Sequence, residues 1–145
     1  MPDNVPKFEF SRSALTEAEQ AVVAEGFRAH TDELGAPHYE KQRLKWICRD
    51  DQGELRAVLT ADVLWDWVYI DELWVSSELR GQGVGKNLVS RVEQYAMSEK
   101  LKGIWLWTQS WQAVDFYSKL GFVEFARFDD FPRGHIRVGF RKELT

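Results

Sequence analysis

A single cysteine, Cys48, stands in 145 residues. One thiol cannot form an intramolecular disulfide, so packing must hold the fold. Flanked by Ile47 and Arg49, Cys48 reads as a small buried hydrophobe and not as a nucleophile. No apolar run approaches the roughly 20 residues that cross a bilayer. The opening segment MPDNVPKFEF has neither the basic stretch nor the apolar core of a signal peptide. With the lone cysteine, these absences predict a reducing, cytoplasmic setting. Charge of neither sign dominates: the net charge of −4 gives no sequence-independent grip on nucleic acid or anionic membrane. His30, His38 and His135 fall in or beside expected loops or a helix end, without metal-ligand spacing, so no metal is expected. Internal repeats, low-complexity tracts and linkers are lacking too. What is present, 44% hydrophobic and 29% charged residues, fits one globular domain over residues 1–145 with a real core.

The local signals alternate between strand and helix. Lys7 to Phe10 predicts a short first strand. Thr16 with Glu19 three residues on is a capping-box pattern, opening a helix to about Leu34 with Val23, Phe27 and Leu34 on one face. Gly35 to His38 ends it. Strands are expected at Leu44 to Arg49, Leu55 to Trp65 and Trp67 to Val75, the first two joined by the turn Asp50 to Glu54. From Gly85 onward Leu88, Val92 and Ala96 recur at helical spacing with Val89 beside them, while Glu93, Lys100 and Lys102 take more solvated positions. Gly103 to Thr108 reads as a further strand. Ser110 can cap a short helix carrying Ala113, Phe116 and Leu120 on one face, with Gly121 just past its end. Phe122 to Phe128 and His135 to Leu144 alternate like an antiparallel closing pair around the loop Asp129 to Gly134. The pattern is a mixed sheet with helices on both sides, an α+β or mixed α/β fold.

Gly81, Gly83 and Gly85 sit between a strand and a helix, where glycine would otherwise cost about 1 kcal/mol per helical position. A strand, a glycine-rich turn and a helix make an anion site, because helix N-terminal amides point outward unpaired and glycine permits close approach. Two well-known versions fail on spacing. The Walker pattern needs glycine at Arg80 and Ser or Thr at Asn87; the dinucleotide fingerprint needs glycine at Lys86 or Leu88. What remains is Arg80-x-x-Gly83-x-Gly85, with Lys86 adding charge.

This segment resembles the pyrophosphate loop of the GNAT superfamily of acyl-CoA-dependent N-acetyltransferases, [RQ]-x-x-G-x-[GA]. A second segment, Ser110 to Phe122, is similar to that family's N-x-x-A-x-x-F-Y-x-x-x-G-F, matching at Ala113, Phe116, Tyr117, Gly121 and Phe122. Ser110 departs from the usual asparagine. The resemblance covers nearly the whole chain and implies a central, mostly antiparallel mixed sheet flanked by helices and splayed at the acyl-CoA site. It implies acetyl-CoA as co-substrate. The pyrophosphate would lie on Arg80, Gly81, Gln82, Gly83, Val84, Gly85 and Lys86. The pantetheine arm would lie on the backbone of Leu73, Trp74 and Val75, with Ser110 donating a hydrogen bond to it. Tyr117 would be the donor toward the departing thiolate. A free phenol titrates near 10 and a thiol near 8.5, so full proton transfer is uphill by about 2 kcal/mol unless the phenol is locally acidified. The alternative is that Tyr117 mainly donates a hydrogen bond.

For a catalytic base the candidates are Asp71 and Glu72, carboxylates inside an otherwise apolar strand. Strand alternation sends them to opposite faces, so at most one enters the cleft, where burial would raise its pKa. Trp65, Trp67, Trp74 and Tyr69, interleaved with Asp62, Asp66, Asp71 and Glu72, suggest an aromatic and acidic wall for a cationic amine. Asp129 and Asp130 can add negative charge. The expected partner is a small-molecule primary amine, with neither nucleic acid nor membrane; a homodimer is compatible with the fold. Two other functions fit the same motifs: a non-catalytic acyl-CoA-binding or sensing module, and a protein amino-group acetyltransferase.

Overall fold

The computed structural model describes residues 5–144. The chain divides into two compact units, Met1–Tyr39 and Glu40–Thr145.

In the first unit one helix, α1 (Glu17–Glu33), is set by its caps. The Thr16 hydroxyl accepts from the Glu19 amide at 3.1 Å, and the Glu19 carboxylate accepts from the Thr16 amide at 2.8 Å. This is the capping box that the sequence predicts. Leu34 is the C-cap, and Gly35 follows at φ +63°. Lys7 to Phe10 form no strand, contrary to the alternation of the segment. Four residues hold a strand only if a neighbour accepts their ladder hydrogen bonds, and among the described residues none does.

The second unit is a six-stranded sheet in the order β1-β2-β3-β4-β6-β5. Its strands are β1 (Lys41–Arg49), β2 (Leu55–Leu64), β3 (Trp67–Val75), β4 (Gly103–Gln109), β5 (Val123–Asp129) and β6 (Ile136–Glu143). Among the described residues only β3 and β4 are parallel, joined by a short turn of 3-10 helix (Ser77–Leu79) and α2 (Val84–Ser98). A last short helix, α3 (Val114–Lys119), precedes β5. The fold is mixed, as the element order predicts.

The core lies between α2 and one face of the sheet. Leu88, Val89, Val92 and Ala96 meet Ala57, Leu59 and Ala61 of β2, Val68 and Ile70 of β3, and Ile104 and Leu106 of β4. Trp46 of β1 stacks edge-on against Tyr95 of α2 at 5.8 Å. Cys48 is half-buried and packs on this core, in line with a hydrophobic role. Glu93 is not solvated as its position suggested. Its carboxylate receives the Lys142 ammonium at 2.9 Å, and Lys142 also donates to the Leu120 carbonyl at 2.7 Å. One lysine thereby ties α2, the end of α3 and β6.

The opposite face carries aromatic rings. Trp105 of β4 stacks on Tyr69 of β3 at 4.6 Å, and Trp107 meets Phe125 of β5 at 5.5 Å. Gly139 of β6 makes room for the latter pair. A Cβ there would come within 2.8 Å of Phe125 and 3.0 Å of Trp107. Replacing Gly139 with Val should push both rings off the sheet and cost about 1–3 kcal/mol. Thermal unfolding checks this; an unchanged midpoint would mean that the rings relocate freely.

Candidate active site

The parallel ladder between β3 and β4 is short. It pairs Trp67 with Gly103, Val68 with Ile104, Tyr69 with Trp105 and Ile70 with Leu106, and then stops. Both strands continue, to Val75 and to Gln109. The amides and carbonyls of Leu73, Trp74 and Val75 that would point toward β4 therefore have no strand partner there. The divergence begins at an irregularity. On β2, Thr60 and Ala61 are consecutive, but they face Glu72 and Ile70 of β3, so Asp71 is an extra residue. A bulge of this kind bends and twists its strand.

Past β3 the chain turns through two left-handed glycines. Gly81 and Gly83 have φ of +78° and +79°, and nothing lies within 4 Å of the Cβ either would carry. Gly83 is the N-cap of α2 and offers no side chain, so the helix's first amides are not capped from within. Gly85 differs: its Cβ position lies 3.4 Å from the Phe116 ring, which packs the start of α2 against α3. The Arg80 side chain turns back, its Nε donating to the Val75 carbonyl at 3.2 Å. Gln82 likewise donates to the Glu78 carbonyl at 3.0 Å. Lys86 is exposed and, with Gly83, Asn87, Ser90, Arg91 and Gln94, lines a groove of about 400 Å³ along α2. Open space at two glycines, uncapped amides and the unpaired edge of β3 fit the pyrophosphate and amide-bearing arm of an acyl-CoA.

Tyr117 is buried at 5% exposure, between Phe116 at 5.0 Å and Phe122 at 5.5 Å, with Phe140 beyond. Burial pushes its phenol up to about 12. Local acidification, one of the two options the sequence leaves, is thus opposed by the surroundings. Ser110 does not cap α3. The N-cap is Ala113, without a side-chain bond. Ser110 instead docks on β6: its amide donates to the Ile136 carbonyl at 2.8 Å and its hydroxyl accepts from the Ile136 amide at 3.2 Å. Residues 110–112 form a turn before the helix begins, which puts Ser110 too early to reach the helix amides.

Asp71 and Glu72 do not face opposite sides. The extra residue brings both carboxylates to one guanidinium, Arg43 of β1, at 2.9 Å from Asp71 and 3.5 Å from Glu72. Arg43 also meets Asp62 of β2 at 3.0 Å. Asp62 first and Asp71 second hold that guanidinium firmly protonated. Neither candidate base is buried: their side chains are 39% and 63% exposed. The expected burial fails because the bulge turns both outward, away from the packed face. Beside them lie two buried atoms without a partner, Asp62 Oδ1 and Thr60 Oγ1.

The expected aromatic wall forms only in part. Trp65 and Asp66 lie in the β2–β3 turn, and Trp67 faces Gly103 at the closed end of the ladder. Trp74 is 45% exposed. At the opening itself stand Tyr69, Trp107, Phe131 and Arg137. The Arg137 guanidinium lies 5.3 Å from the ring centroids of both Trp107 and Phe131. Tyr69's phenol is raised, by burial first and by Asp71 next, while Arg137 opposes the shift. Sequence reasoning missed Arg43 and Arg137. Each is an arginine within an alternating strand, the one signal that could have drawn attention to them. Among the described residues no group of three metal-ligating side chains occurs, and no helix is long and apolar enough to cross a membrane.

A splayed parallel pair with a glycine turn opening the crossover helix defines an acyl-CoA transferase architecture. The Acetyltransferase (GNAT) family model matches residues 11–122, and the chain belongs to that family. It is 36% identical over 95 residues to blasticidin-S acetyltransferase of Streptomyces morookaense, 65% of this chain and 70% of that protein. An acetyltransferase structure from Bacillus cereus superposes with a TM-score of 0.79 at 23% identity, covering 93% of this chain and 98% of the other. A protein described as a streptothricin acetyltransferase of Bacillus anthracis, solved with acetyl coenzyme A, superposes with a TM-score of 0.62 at 23% identity, covering 70% and 62%.

Two outcomes follow. Gly83→Val places a β-branched residue at φ +79° and fills the open side of the turn. Coenzyme A affinity by calorimetry should fall more than tenfold, while thermal unfolding reports the separate cost of strain, about 1–2 kcal/mol. Undiminished affinity would remove the phosphate from this turn. For Tyr117, a folded value near 12 against about 10 unfolded favours the neutral phenol in the fold. That contribution, about 3 kcal/mol, is complete below pH 10 and is lost as pH rises through 12. Tyr117→Phe should flatten the fall of stability over that window, read by denaturant unfolding at pH 9 and pH 11.5.

Proposed function

We propose that the chain moves an acetyl group from acetyl-CoA to a small primary amine, by direct attack within a ternary complex. The observation that carries this reading is the coincidence at one place of three features: the end of the β3–β4 ladder, the bulge at Asp71 and the left-handed glycine turn. Acetyl-CoA, when bound, supplies the acetyl group as a thioester. Amides of Gly81 to Lys86 hold its pyrophosphate, and the edge of Leu73, Trp74 and Val75 that β4 leaves unpaired holds its arm. An amide on that edge would be the hydrogen-bond donor toward the thioester carbonyl oxygen, where such a donor stabilises developing negative charge, usually a large electrostatic contribution.

The chain's side chains handle protons. An alkylamine with a pKa near 10.4 is neutral in only about one molecule in 2,500 at pH 7, equivalent to about 4.6 kcal/mol. A carboxylate at the opening can take that proton, directly or through water. Glu72 is better placed than Asp71, because Arg43 holds Asp71 at 2.9 Å and Glu72 only at 3.5 Å. Asp71 orients Arg43 and keeps the second carboxylate beside the opening. At the leaving end Tyr117 acts as a hydrogen-bond donor. A phenol near 12 is about 3.5 pKa units above a simple thiol, so full transfer would be uphill by about 5 kcal/mol.

Thiol release against an amine panel tests the activity. Glu72→Gln should lower the rate about 100-fold at pH 7 and less at pH 9, where more amine is already neutral. Asp71→Asn should cost less. A wild-type pH–rate profile in both variants would remove the carboxylates from proton transfer.

A further inference from the structure

Arg137 spans the opening. It stands on β6 opposite Gln109 of β4, and its guanidinium lies over the ring of Trp107 and the ring of Phe131. It also acts on the Tyr69 hydroxyl on β3. Tyr69 belongs to the last paired stretch of β3, whereas Trp107 is the first residue of β4 beyond the ladder. One cation thus lies over the β4 lip and bears electrostatically on the β3 lip of the place where the strands part.

The guanidinium is oriented but not neutralised. Arg43 pairs with Asp62, Asp71 and Glu72, Arg127 with Glu124, and Arg141 with Glu143, but Arg137 meets no carboxylate among the described residues. Aromatic faces restrain the plane of a guanidinium and leave its N–H edge available. That edge matches a carboxylate in a bidentate, charge-assisted pair. Across the opening, on β3, stand Asp71 and Glu72. The site therefore presents carboxylates on one side and an unpaired guanidinium on the other.

This polarity bears on how an amine can be held. Attraction between an ammonium and carboxylates is lost when the amine gives up its proton, and attack requires that loss. A second anchor of opposite sign persists in both protonation states.

We propose that Arg137 receives a carboxylate on the acceptor, and that the acceptor is a zwitterionic, amino-acid-like amine. The amine end of this assignment rests on the acetyl-transfer reading above; the anion end rests on Arg137 alone.

The test uses ω-amino acids of three to eight carbons, each matched to the alkylamine lacking its carboxylate. In the full chain loaded with coenzyme A, the Arg137 Nε–H resonance is assigned by its loss in Arg137→Lys and followed during titration. At least one ω-amino acid should shift that resonance saturably, and its alkylamine should not. In thiol-release assays the ratio of kcat/KM for an ω-amino acid to that for its alkylamine should fall about 10- to 100-fold in Arg137→Gln, the range for a charge-assisted pair. Arg137→Lys should recover part of it. A saturable shift without turnover of any amine would uphold the anion site and count against the acetyl-transfer reading. Turnover of alkylamines with no shift by any ω-amino acid would overturn the anion site and leave that reading standing. A loss common to both members of each pair would make Arg137 a merely structural residue and also overturn it.

Discussion

One extra residue in β3 organises the second unit. Up to Ile70 the even-numbered residues of that strand, Val68 and Ile70, face α2 and are buried. Beyond Asp71 the odd-numbered Leu73 and Val75 take over the packing. Without the bulge, strict alternation through Asp71 would turn Glu72 and Trp74 into the core and Leu73 and Val75 out of it. A carboxylate would then face the apolar core with no partner, at a cost of several kcal/mol. The bulge avoids this and keeps apolar packing continuous on both sides of the break. It also adds local twist, and it does so level with the point where β4 stops following β3. Strand separation, exposed backbone edge and outward carboxylates are consequences of the same insertion.

The charges at the opening are arranged as an exchange and not as a simple acidic pocket. Asp62, Asp71 and Glu72 share Arg43, and Lys41 stands 4.0 Å from Asp62. A bare cluster of three carboxylates would repel itself; one planar guanidinium with several donors holds it together. The carboxylates are already paired, to a guanidinium whose contacts at this exposure are individually weak and cost less desolvation than a buried ion pair would.

Local signals were legible because their causes are local. The capping box at Thr16 and Glu19 closes within four residues, the buried stripe of α2 follows from its period, and the left-handed turn is written in glycine. Even the bounds of β3, Trp67 to Val75, can be read from its aromatic and β-branched run. The bulge inside it could not be. No glycine or proline marks Asp71, and the misfit arises only from pairing with Thr60 and Ala61. Arg43 lies 19 residues from Asp62 and further still from Asp71, so their meeting depends on β1–β2–β3 register. Ser110 looked like a helix cap because a serine three residues before an apolar stripe is a common start signal. It is drawn instead to the start of β6, 26 residues away.

The paired aromatics Phe116 and Tyr117 show how the two sequence motifs depend on one another. Adjacent helix residues point about 100° apart, so they cannot serve the same surface. Phe116 goes to Gly85, the final glycine of the turn, where a ring sits 3.4 Å from the missing Cβ. Tyr117 goes into the core, against Phe122 and Phe140. The start of α2 is thereby fixed relative to the end of β4 through a ring contact, and the turn's open amides are held at a set distance from the unpaired edge of β3. Glycine at position 85 serves packing, while glycine at 81 and 83 serves backbone conformation. Burial of the Tyr117 ring that steadies this arrangement is also what raises its phenol. The packing that lets this residue brace the fold thereby also keeps its phenol neutral.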